Sequence, residues 1–103
     1  MRRNKELKLS EIWTRASKEL KQVKNTYGDA ERREACAEGA IIYYISKGGT
    51  CSPLGIHKPQ QFDTCMSLIR SFENASKKSI RKLNDLEGLT FIEFAKRAKE
   101  LGL

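Results

Sequence analysis

Apolar residues recur at steps of three and four along most of this chain, and that spacing predicts helices. Leu9, Ile12, Trp13, Ala16, Leu20 and Val23 share the face of a first helix over residues 10–25. Ser10 reads as its N-cap and Tyr27-Gly28 as its stop. A second helix is expected to open at Asp29, with Glu31 and Glu34 near its positive end, and to run to Ser46 before Gly48-Gly49. From Ala35 to Ile45 it is apolar nearly all round, which makes it the expected central helix. Ile41 to Ile45 also suits a strand by propensity, but the pattern running on from Glu31 favours helix. Cys36, Gly39 and Ala40 form a patch of small residues that a neighbouring helix could approach closely.

Residues 48–62 interrupt the pattern. Both prolines and three of the seven glycines fall there, so a long irregular loop is expected. A third helix starts at Asp63 and buries Cys65, Met66, Leu68, Ile69 and Phe72, ending near Asn74 or Ser76. A short basic helix follows, with Ile80 and Leu83 inward, and Asn84-Asp85 and Gly88 mark a turn. The last helix carries the clearest start signal. Thr90 and Glu93 form a capping box, Leu89 and Phe94 a hydrophobic staple, and Phe91, Phe94, Ala95, Ala98 and Leu101 the inward face up to Gly102.

These elements add up to an all-α single domain of four to five helices over residues 9–103, a small helical bundle behind a basic tail at 1–8. Composition agrees: of 103 residues, 39% are hydrophobic, enough for one core without a metal or disulfide. The longest apolar run, Ala40 to Ile45, is far too short for a membrane span. No secretory signal is read at the N-terminus, so the expected setting is cytoplasmic, with no membrane partner.

Charge narrows the partners. The net charge is +7, divided as +5 over residues 1–24, −1 over 25–63 and +3 over 64–103. Three clusters carry the surplus: the tail Arg2, Arg3, Lys5, Lys8; a stripe Arg15, Lys18, Lys21, Lys24 on the first helix; and Lys77, Lys78, Arg81, Lys82 on the short one. If those two helices lie side by side, their cations form one continuous face able to track phosphates. The competing reading is that these Lys and Arg only solvate helix surfaces.

Candidate chemistry is sparse. Cys36, Cys51, His57 and Cys65 supply the ligand count of a zinc site, but no Cys-x-x-Cys or similar chelating pair is present. Cys36 and Cys65 read equally well as small core residues. A Cys51–Cys65 disulfide would need an oxidising setting. A Cys–His dyad with the single histidine, His57, lacks any local signature. Glu34 and Glu38 share a helix face but point to no substrate. Gly48-Gly49 opens no phosphate loop.

Cys36-Ala37-Glu38-Gly39-Ala40, Leu83-Asn84-Asp85 and the Thr90-headed last helix resemble a family of uncharacterised small helical proteins. That family shares a Cys-x-x-Gly-Ala helix, an Asn-Asp turn and a Thr-headed final helix. The resemblance spans about residues 30–103. Ala35 and Leu83 stand where the family usually has aromatic residues. It implies a helical fold with Asn84-Asp85 as a structural turn near Cys36, and no activity. The expected function is therefore a non-enzymatic binding protein without cofactors, with nucleic acid the leading partner. The alternative is a protein-interaction or structural module, a homodimer included. A minor alternative is a metal- or thiol-dependent site at residues 51–65.

Overall fold

The computed structural model describes residues 7–103. Arg2, Arg3 and Lys5 lie outside the described residues. Within them the order is α1 (Leu9–Glu19), β1 (Lys21–Gln22), β2 (Gly28–Asp29), β3 (Glu34–Ala35), α2 (Ala37–Ile45), a 3-10 turn (Pro53–Gly55), α3 (Pro59–Ser76), α4 (Ile80–Asp85) and α5 (Phe91–Glu100). The protein is thus mostly helical, and the all-α expectation is corrected by a three-stranded sheet of order β1-β3-β2. β1 runs parallel to β3, and β2 antiparallel to it. No helix among the described residues is long and apolar enough to cross a membrane.

The core centres on Trp13, Phe72 and Phe94, all fully buried. The indole meets Phe72 edge-on at 5.2 Å between centroids and Phe94 at 4.9 Å. Such aromatic pairs add to the stabilisation from burial alone. The indole Nε1–H donates to the Ala37 carbonyl at 3.0 Å, so the one polar atom of the side chain is satisfied. α1 packs chiefly on α5 and then on α2, while α4 packs on α2 and α3. Leu7, expected in the tail, already packs against this core.

The first helix ends six residues earlier than expected. Leu20 turns extended at φ −122°, ψ 148°, and β1 follows. Leu20 and Val23 fit a helical face in sequence, but long-range bonds prevail. Lys21 N–H donates to the Arg33 carbonyl at 2.8 Å and Val23 N–H to the Ala35 carbonyl at 3.0 Å. The Gln22 carboxamide donates to the Leu89 carbonyl at 2.7 Å and accepts from Phe91 N–H at 2.8 Å. A helix through Asn25 would lose all four.

The N-cap of the second helix lies seven residues later than expected, at Cys36 instead of Asp29. Asp29 does cap a backbone N–H, that of Glu31 at 2.9 Å, but it closes a turn rather than a helix. Arg33 then takes a positive φ of 56°, which reverses the chain into β3. The helix N-cap is Cys36, whose Sγ accepts from Gly39 N–H at 3.3 Å. The small-residue patch receives backbone rather than a helix. A Cβ on Gly39 would lie 2.0 Å from the Tyr27 carbonyl oxygen, so only glycine admits this contact.

The irregular segment is shorter than expected, because α3 begins at Pro59, a favoured first helical position, instead of Asp63. Phe62 therefore sits on a helix. The Ser46 hydroxyl binds Thr50 from both sides, donating to its carbonyl at 3.2 Å and accepting its N–H at 3.1 Å. Cys51 is buried beneath the loop and Leu54 is exposed. The last two helices follow the sequence closely. Ser79 caps α4, Ile80 and Leu83 point inward, and the Thr90–Glu93 capping box is formed.

Asn84, 1% exposed, binds β1, the start of α2 and its own helix end at once. Asn84→Ala leaves the buried Ala37 N–H and Val23 carbonyl without partners. It is expected to lower unfolding free energy by about 3 kcal/mol, measured by urea denaturation.

Candidate functional site

The expected basic stripe is divided by β1. Arg15 and Lys18 stay on α1, whose neighbours are α5 and α2. Lys21 lies on β1, on the strand face opposite Gln22. Lys24 follows β1 and is carried to the far end of α4, where its Nζ lies 3.5 Å from the position a Cβ would take on Gly88. The bonds responsible run from Asn84 Nδ2 to the Val23 carbonyl, 3.0 Å, and from Asn25 N–H to Asp85 Oδ1, 3.0 Å. α2 packs against both α1 and α4, which make no extensive contact with each other. Lys24 thus comes to the end of the helix that carries Lys82 and follows Lys77 and Lys78, and all four lysines are exposed.

Lys77 sits at the left-handed C-cap of α3, φ 62°, which turns the chain sharply towards α4. Lys78 Nζ approaches Glu87 at 3.9 Å, a surface pair that contributes little. Arg81 is the most engaged of the set. Its Nη2 donates to Tyr27 Oη at 3.1 Å, its Nε lies 3.7 Å from Glu38 Oε1, and its guanidinium lies 5.8 Å from the Tyr27 ring centre.

Behind this edge lies a cleft of about 390 Å³ lined by Tyr27, Cys36, Glu38, Arg81, Asn84 and Asp85, among others. Burial raises the Glu38 carboxyl above its ordinary range, opposed by Arg81 and reinforced by Glu73 and Asp85. The Cys36 thiol is likewise pushed up, chiefly by burial. Asn84 and Asp85 form the last residues of α4 rather than a separate turn; the Asn84 side chain accepts from Ala37 N–H, and both residues line the cleft with Cys36. Sequence reasoning missed Tyr27, Glu38 and Gln22 as parts of this assembly. Gln22 and Asn84, polar side chains on otherwise inward-facing segments, were the available signal.

The four candidate zinc ligands do not converge. Among the described residues, no three His, Cys, Asp or Glu side chains are grouped so as to hold a metal ion. His57 is exposed, while Cys36, Cys51 and Cys65 are buried and free. Cys65 lies in the core of α3. Cys51 donates to the Glu34 carbonyl at 3.4 Å. The 51–65 segment thus brings together neither a metal cage nor a disulfide.

Comparison with known proteins finds no matching family model, no similar curated protein and no similar solved structure.

Burial pushes Cys51 and Cys65 up to about 11, so both are held as thiols at neutral pH. Because the protonated form is favoured in the folded state, their contribution to stability is complete below the ordinary thiol range and is lost as pH rises from 9 to 11. Titration with a disulfide reagent at pH near 8 should therefore label the native protein slowly and all three cysteines rapidly in denaturant. The urea midpoint should fall across that alkaline window.

Proposed function

We propose that this chain is a non-enzymatic binding protein that holds nucleic-acid phosphates on the basic edge of α4. The observation that carries the reading is the juxtaposition of Lys24 with the α4 cluster through the bonds to Asn84 and Asp85. Four lysines from segments far apart in the chain are then exposed on α4 and at its two ends. Among the described residues, Lys24, Lys77 and Lys82 have no carboxylate within 4 Å. Cations left free in this way exchange condensed counterions for phosphates, which drives sequence-independent binding. Arg81 is held by Glu38 and Tyr27 and acts mainly as a brace for the edge. The burial and raised pKa values of the thiols support a binding role over thiol chemistry.

Fluorescence anisotropy with labelled single-stranded and duplex oligonucleotides, from about 50 to about 200 mM salt, tests this. Affinity should fall steeply with salt. The double variant Lys24→Ala/Lys82→Ala should reduce the logarithmic salt slope by about 2 while the fold is retained. No binding at the lowest salt, or a slope unchanged in the variant, would overturn the reading.

A further inference from the structure

A second surface, sharing no lining residue with the cleft beside α4, lies between α1 and α5. These two helices make the most extensive helix contact in the protein, and small residues, Ala16, Ala95 and Ala98, are buried along it. Their outer faces bound an open groove of about 690 Å³. Its floor is apolar: Leu7 is half-buried, Ala95 buried, and Ile92 is 45% exposed. The Thr14 hydroxyl in the same floor is turned back onto the Ser10 carbonyl at 2.7 Å, so it offers little to a polar ligand.

The rim is basic. Lys8 and Arg15 stand on the α1 side, Lys96 and Lys99 on the α5 side. Arg15 leans over the Tyr44 ring at 4.9 Å. Among the described residues, Lys8, Lys96 and Lys99 have no carboxylate within 4 Å. The one acid in the lining, Glu11, is engaged by Lys8 N–H at 3.0 Å, closing the start of α1. Ile92, Lys96 and Lys99 are spaced at i, i+4 and i+7, so all three lie on the one stripe of α5 that borders the groove.

We propose that this groove docks an amphipathic helix of a partner protein, apolar on one face and acidic along both flanks. Charge complementarity selects that occupant. A second copy of this chain would set lysine rim against lysine rim. Residues 1–6 of the chain, with three cations and one acid, carry the same wrong sign. Nucleic acid would satisfy the rim but leave the aliphatic floor unused, since no aromatic ring lines it to stack a base. An acidic amphipathic helix covers Leu7 and Ile92 with its apolar stripe while its carboxylates reach the lysines, the helix-in-groove mode of recognition. The proposal is independent of the nucleic-acid reading, which rests on a different surface.

The test uses the full chain and three labelled peptides of about 15 residues, long enough for a marginal helix: an acidic amphipathic Leu/Glu sequence, a scramble of it, and the same pattern with Lys for Glu. Anisotropy should show binding of the first, with the scramble weaker by about tenfold and the Lys peptide silent. Ile92→Ser and Lys96→Glu/Lys99→Glu should each weaken binding by about tenfold. Both changes are at exposed positions, and unchanged Trp13 fluorescence verifies the fold. Equal binding of the scramble, indifference to Ile92→Ser, or no binding at about 1 mM peptide overturns the proposal. So does an oligonucleotide that binds through Lys96 and Lys99 and displaces the peptide, an outcome that would assign the groove to nucleic acid.

Discussion

The carboxamide of Asn84 is the interaction on which the arrangement of the rest depends. Its oxygen accepts from Ala37 N–H at 3.1 Å and from Gln22 Nε2 at 2.8 Å. Its nitrogen donates to the Val23 carbonyl at 3.0 Å and to Asp85 Oδ1 at 2.7 Å. Both donors and both acceptor sites are thus used, which no other side chain of this size can do. Gln22 extends the same network to Leu89 and Phe91, at the entry to α5. One buried amide therefore fixes the angle of α2, the position of β1 and the start of α5 together. In a dry interior such a network is satisfied completely or is a source of instability.

The location of both surfaces follows from that network. β1 takes the chain away from the axis of α1, which separates cations that the sequence lays out as one stripe. Arg15 and Lys18 remain on α1, and Lys24 crosses to α4. The result is two basic regions with a more acidic cleft behind one of them, where Glu38 and Asp85 face a single guanidinium. The net charge of the chain conceals this alternation in sign.

What was legible in the sequence is what depends on neighbours a few residues away. The Thr90–Glu93 box, the inward Ile80 and Leu83 and the buried run of α2 all follow from local spacing. What was not legible depends on distant partners. β1 is two residues long, and its register with β3 is set by bonds across the intervening turn. Leu20 and Val23 satisfy a helical period as well as a strand, so periodicity alone cannot reject the longer helix. Asp29 is a capping residue in either conformation. It is the positive φ at Arg33 and the close approach of Tyr27 to Gly39 that move the helix start to Cys36. The basic residues were visible as types, but their grouping was decided by β1. Lys96 and Lys99 became significant only once α5 lay against α1.

The pairing of α1 with α5 also bears on the order in which the protein is made. α1 emerges from the ribosome long before the helix that covers it. Until α5 follows, Trp13 lacks the ring of Phe94 and Gln22 lacks the backbone of Leu89 and Phe91, so β1 is held only by its pairing with β3 and by Asn84.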